Sequence, residues 1–149
     1  MAELFELSYV SKSVIDPAPE ILVPEIEQIL SIATVQNPDN DVTGALLYTG
    51  GYFCQVMEGD PEYLEQLFER IQCDKRHQDC KLLTFEPIEA RRFGDWSMAL
   101  VGIEPTPWPE IQGALTSLGA ISTNTAGRKV IQDMLAKIEE QIRAAALVG

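Results

Sequence analysis

The chain has 149 residues, 23 of them acidic and 11 basic, for a formal charge of −12. A chain of this length suits one domain that buries roughly 70% of the surface its unfolded state exposes, so no disulfide or metal is needed to hold it. The charge argues against nucleic acid and an anionic membrane surface, which both require clustered Lys and Arg, and leaves small molecules or proteins as partners.

Cys54, Cys73 and Cys80 are odd in number, lack CxxC spacing and accompany a single histidine. They outline neither a disulfide framework nor a tetrahedral zinc site. No basic segment followed by an apolar run opens the chain, and no stretch of ~20 apolar residues exists. The expectation is a soluble cytoplasmic protein without a metal.

From Leu4 to Val10, Phe5, Leu7 and Tyr9 alternate with Glu6 and Ser8, which predicts a strand with one buried and one wet face and Tyr9 turned inward. After the loop at Asp16-Pro-Ala-Pro, Ile26, Ile29, Leu30 and Ala33 keep helical spacing from about Pro24. That helix ends near Gln36-Asn37-Pro38, because proline disfavours helical geometry in the residue before it. Val42 to Thr49 and Tyr52 to Glu58 form a hairpin across Gly50-Gly51, a two-residue turn that needs positive φ. Its second strand places Gln55 between Phe53 and Met57 on the face expected to be buried, where an unpaired amide costs ~1–3 kcal/mol.

Asp60 as N-cap and Pro61 at the first helical position start a second helix, with Leu64, Leu67, Phe68 and Ile71 as its apolar stripe. A polar loop over Asp74 to Lys81 leads to a strand over Leu82 to Ile88, and Ser97 to Ile103 makes a fifth. The order βαββαβ plus one strand is the ferredoxin-like α+β pattern, in which right-handed crossovers put both helices on one face of an antiparallel sheet. Strands one and three are then central neighbours, with Tyr9 beside Gln55 in the core.

From Glu104 the composition changes. Pro105, Pro107 and Pro109 mark a loop, Glu110 to Leu118 a short helix, and Arg128 to Leu147 a longer one with Val130, Ile131, Met134, Leu135, Ile138 and Ile142 on one side. The chain divides into a core over residues 1–104 and a helical extension over 105–149. The extension's apolar face needs cover, from the helix-free side of the sheet or from a second subunit.

Each candidate functional residue also has an ordinary explanation. Asn37 is a good turn residue before proline. Arg70 and Asp74, four apart, make an ordinary solvated ion pair. His77 falls in a polar loop and reads as surface, Ile29 and Ile71 read as core, and Cys54 as a small inert hydrophobe. Trp96 and Met98, two apart, share a face if they lie on a strand. No Ser–His–Asp set, phosphate-cradling Gly loop or close carboxylate pair points to an enzyme.

Together these residues resemble the BLUF family, blue-light sensors using flavin. The resemblance rests on LSYVS around Tyr9, QNPDNDVTGALLY with Asn37, YFCQVMEG with Gln55, DKRHQD with Arg76 and His77, and RRFGDWSMALV with Trp96 and Met98. It spans about Leu4 to Val101; Gln36 stands where members often have a second Asn.

The resemblance implies a flavin, FAD or alternatively FMN, held noncovalently between the two helices. Asn37 and Gln55 would hold its polar edge, Ile29 and Ile71 would sandwich its ring, and Arg70 and Asp74 would lie towards its tail, Arg70 being the better choice of the two. It also implies light-driven electron and proton transfer from Tyr9 to the flavin, a rearranged Gln55 hydrogen bond, and relay through Trp96 and Met98 to the C-terminal helices. The output would be a contact with a downstream protein, in a homo-oligomer and with no enzymatic activity. A small ferredoxin-like acylphosphatase-type enzyme using Asn37 and Arg70, and a flavin-free interaction module, are the alternatives.

Overall fold

The computed structural model describes residues 3–94, 96–109, 111 and 123–148. The expected helix over Glu110 to Leu118 lies outside these residues but for Ile111, as does the side chain of Ile142. The elements run β1 (Phe5–Ser13), α1 (Pro19–Asp39), β2 (Thr43–Thr49), β3 (Tyr52–Gly59), α2 (Pro61–Gln72), β4 (His77–Pro87), β5 (Ala99–Glu104) and α3 (Thr123–Val148). The sheet order is β4-β1-β3-β2-β5, so β1 and β3 are central neighbours and Tyr9 pairs directly with Gln55.

The local signals act as the sequence implies at several boundaries. Gly50 and Gly51 take φ of 51° and 92° in the β2–β3 turn, a region that costs glycine nothing. Asp60 caps α2 by accepting the Tyr63 amide at 3.0 Å. α1 starts earlier than expected, because Pro19 in the first turn wastes no hydrogen bond and the Ile21 and Leu22 amides both reach the Ala18 carbonyl at 2.9 Å.

The four strands of the ferredoxin-like pattern pair antiparallel, and β5, whose neighbour does not follow from spacing, joins parallel to β2 on that strand's free edge. One expectation about the sheet is corrected. β4 begins at His77, inside the segment expected to be a loop, and Asp79 at φ 55° marks a register break opposite Ser11. That bulge interrupts the alternation that would have revealed the strand.

Period-two alternation sorts the core into two layers. Leu7, Tyr9, Leu46, Phe53 and Met57 meet α1 and α2 through Leu22, Ile26 and Leu64. Val10, Ala45, Leu47, Cys54 and Val56 face the other way and meet Val130, Ile131, Met134 and Ile138 of α3. Each large apolar side chain buried this way contributes about 1.5–3 kcal/mol relative to exposure. Because α3 covers the second face, β1 has no wet side: Glu6 and Ser8 are 1% and 0% exposed. No helix among the described residues is long and apolar enough to cross a membrane.

Candidate functional site

Between α1 and α2, above the central strands, lies a cleft whose empty space out to its open mouth is about 740 Å³. Tyr9, Phe53 and Gln55 form its floor, and Ile29 of α1 and Ile71 of α2 stand on opposite walls. The expected core residues Ile29 and Ile71 are therefore also wall residues.

On the floor the Tyr9 hydroxyl donates to Gln55 Oε1 at 2.6 Å. Gln55 Nε2 in turn points at Met98 Sδ, 3.6 Å away. An amide nitrogen carries two hydrogens, and the Met98 contact uses one. Burial holds the Tyr9 phenol well above its ordinary value, with Cys80, Cys54 and Asp74 adding to the effect, so the group stays neutral. Its ring is supported by Phe68, 5.4 Å away between centroids.

Asn37, at the end of α1, lines the cleft and donates from Nδ2 to the Ser97 carbonyl at 2.7 Å. It thus joins the cleft to the residue just before Met98. The turn role foreseen for it is also present, since its carbonyl accepts the amides of Asn40 and Val42.

The cation at the mouth is not the expected one. Arg70 does not line the cleft; it sits over the half-buried Tyr63 ring and donates to that hydroxyl at 3.2 Å. Arg76 is at the mouth instead, bonded to Asp74 through Nε and Nη2 at 3.0 and 2.6 Å and reaching Gln28 and Glu25 of α1. Asp74 lines the cleft, and the hydrogen bond from Arg76 holds its carboxyl below the ordinary value despite partial burial.

His77 is a site residue that the polar composition of its surroundings concealed. Its Nε2 lies 2.6 Å from the Ile71 carbonyl and its Nδ1 2.8 Å from Ser11 Oγ. A carbonyl can only accept, so Nε2 carries a hydrogen, and in the neutral ring the Ser11 hydroxyl donates to Nδ1. The histidine ties the end of α2 to β1 and stands edge-on to the Tyr9 and Phe53 rings. The DKRHQD motif held the signal for both Arg76 and His77.

Trp96 and Met98 do not share a face. Both precede β5, so strand alternation does not govern them. Met98 is buried with the cleft-side core, whereas Trp96 is half-buried against the core beneath α3. Trp96 is held by its backbone, its amide bonding the Phe93 carbonyl and its carbonyl accepting the Gly44 amide.

Residues 4–99 match the family model described as BLUF, sensors of blue-light using FAD. The chain is 38% identical over 96 residues to the photoactivated adenylate cyclase subunit beta of Euglena gracilis, covering 64% of this chain and 11% of that protein. It therefore spans a small part of the curated relative it matches. A dark-state structure of BlrB, a BLUF protein, superposes with a TM-score of 0.63 at 32% identity, covering 97% of this chain and 98% of that one. The structure of Klebsiella pneumoniae BlrP1 with FMN and cyclic diGMP superposes with a TM-score of 0.57 at 34% identity, covering 65% of this chain and 25% of that one. The family is one of blue-light sensors that use a flavin.

Proposed function

The chain belongs to the BLUF family, and from that premise we propose that it is a cytoplasmic blue-light photoreceptor holding FAD noncovalently between α1 and α2. The observation that carries the reading is the buried pair on the cleft floor, Tyr9 hydroxyl to Gln55 Oε1 at 2.6 Å, with Met98 on the amide's other end. The residues present fit a flavin: apolar walls from two helices suit a flat ring, and Gln55 and Asn37 offer polar contacts to its edge. Arg76 and Asp74 hold the tail side, in place of Arg70. The family's description favours FAD, and mass spectrometry of the extracted cofactor distinguishes it from FMN.

A bound flavin would supply blue-light absorption and, when excited, a one-electron acceptor, with Tyr9 as the donor. Neutral in the dark, the Tyr9 phenol would become strongly acidic on losing an electron; its proton would follow by way of the short hydrogen bond to Gln55, and both electron and proton would then return to Tyr9, leaving the amide turned. The Gln55 terminal torsion is broad and roughly two-fold, and its two ends have opposite hydrogen-bond character. Turning the amide places Oε1 towards Met98, whose thioether can accept but not donate, so the contact with Met98 is lost.

Met98 directly precedes β5, and α3 grips that strand through Gln141 Nε2, which donates to the Val101 carbonyl at 2.7 Å. The release of Met98 thus reaches the extension over 105–149, which contacts a downstream protein or a second copy of the chain. Trp96, packed beneath α3, takes part only through the backbone it shares with Met98. Absorbance of the purified protein before and after blue light tests the reading. Flavin bands with a reversible red shift are expected; colourless protein, or bands that light leaves unmoved, would refute it.

A further inference from the structure

We infer that Glu58 is a positioning residue that holds the segment from Arg91 to Met98 where Met98 meets Gln55, an inference that rests on the photoreceptor reading above. Glu58 closes β3, three residues beyond Gln55, and is 0% exposed. A buried carboxylate is costly unless hydrogen bonds fill its lone pairs. Here Oε2 accepts the Arg92 amide at 2.7 Å, and Oε1 accepts the Phe93 amide at 3.1 Å and the Thr43 hydroxyl at 2.8 Å. Two of the three donors are consecutive backbone amides of the segment that leads to Met98.

Residues 91–94 and 96–98 belong to no helix or strand, so no ladder of regular bonds fixes them. Their place is set from outside. Arg91 Nη1 donates to Thr43 Oγ1 at 2.8 Å and to the Glu58 carbonyl at 3.1 Å, while Nη2 reaches the Asp41 carbonyl at 2.8 Å. Phe93 is wholly buried, and its carbonyl accepts the Trp96 amide. The Trp96 and Ser97 carbonyls are then taken by Gly44 and Asn37.

Glu58 is the anchor at the start of this series, and it grows from the strand that carries the switch. Gln55 and the mount for Met98 therefore move as one body. A carboxylate is required because the three groups around it all donate: glutamine would turn an NH2 group onto a backbone N–H. Without the anchor, among the described residues, no backbone group of the segment before Trp96 is held by another strand, and only the Arg91 and Arg92 side chains tie that part down.

Two variants of the full chain test this, Glu58→Gln and Glu58→Asp; the second keeps the charge but falls short of the Arg92 and Phe93 amides, and serves if the first does not fold. In flavin-free protein, amide hydrogen exchange at Phe93 and Trp96 should accelerate about five-fold or more, the factor that loss of one hydrogen bond produces, with Val10 on β1 unchanged. In flavin-loaded protein, return of the red-shifted state in the dark should slow by about the same factor. In a Met98→Ala background Glu58→Gln should add nothing to the recovery time, because the contact it serves is gone. Unchanged exchange at Phe93 and Trp96 would overturn the inference. So would a recovery effect that persists undiminished in Met98→Ala, or one reproduced by Thr49→Val, which removes two hydrogen bonds at the opposite end of β2. A wild-type protein without a red shift would instead refute the photoreceptor reading, and the flavin-free exchange would still report on Glu58.

Discussion

Replacing Tyr9 by Phe and Gln55 by Leu, singly and together, tests whether the floor of the cleft is one hydrogen-bonded unit. Tyr9 is 3% exposed and its hydroxyl is 2.6 Å from Gln55 Oε1. Tyr9→Phe keeps the ring and its packing on Phe68, so it opens no cavity; its cost is the acceptor left without a donor, about 1–3 kcal/mol. Gln55→Leu leaves the hydroxyl without an acceptor at a similar cost. The double variant removes both partners and leaves nothing unpaired, so it should lose much less than the sum, giving a coupling of about 1–3 kcal/mol. In a domain of this size each kcal/mol moves the melting temperature by roughly 2–4 °C. Urea unfolding of the four flavin-free proteins, followed by circular dichroism, measures the cycle, and values should fall near the lower end because the open mouth admits water. Additive losses would refute the pairing. The flavin-loaded single variants should keep their visible bands and lose the light-induced red shift, and a shift surviving in Tyr9→Phe would exclude Tyr9 as the donor.

Arg76→Ala should weaken flavin retention, measured by equilibrium dialysis, whereas Arg70→Ala should leave it within about two-fold, since Arg70 is bonded to Tyr63 on the surface; equal losses would mean that the mouth is misassigned. Asp74 titrates below its ordinary value, so its pairing with Arg76 adds stability that is fully present above about pH 4 and lost as pH falls through the lower folded value; Arg76→Ala should remove that part of the acid transition in urea midpoints. Glu6 has the opposite sign: burial raises its carboxyl, only partly offset by the Thr84 hydrogen bond and Arg92 and reinforced by Glu86 and Glu58, so the folded state loses stability as pH rises above about 4.3. Glu6→Gln should therefore compare better with wild type at about pH 7 than at about pH 4, and a difference independent of pH would refute this. Cys54, buried against Met134 of α3 and pushed up to about 12, should resist thiol reagents until the protein unfolds, while the exposed Cys73 reacts at once; fast labelling of Cys54 would show that α3 leaves the sheet.

Where the sequence was read correctly, the information was local and periodic. Alternation along β1 and β3 put Tyr9 and Gln55 on buried faces, and Asp60-Pro61 and Gly50-Gly51 marked their own turns. Where it misled, the local rule had been interrupted. The bulge at Asp79 hid the first half of β4 and with it His77. The expectation that β1 had one wet face failed because α3, distant in sequence, covers it. Spacing gave Arg70 an ion-pair partner in Asp74 four residues on, yet Arg76 took that carboxylate after the chain turned into β4.

By itself, then, the sequence determined the order of strands and helices, the handedness that makes β1 and β3 neighbours, and hence the meeting of Tyr9 with Gln55, because period and crossover rules act over short stretches of chain. The tertiary structure alone decided what surrounds that pair. Met98 lies on the cleft side and Trp96 on the other because both precede β5, in a segment whose shape is imposed by Glu58, Arg91, Gly44 and Asn37. Such a segment has no period of its own to be read, and only bonds from residues far away in the chain fix where its side chains go.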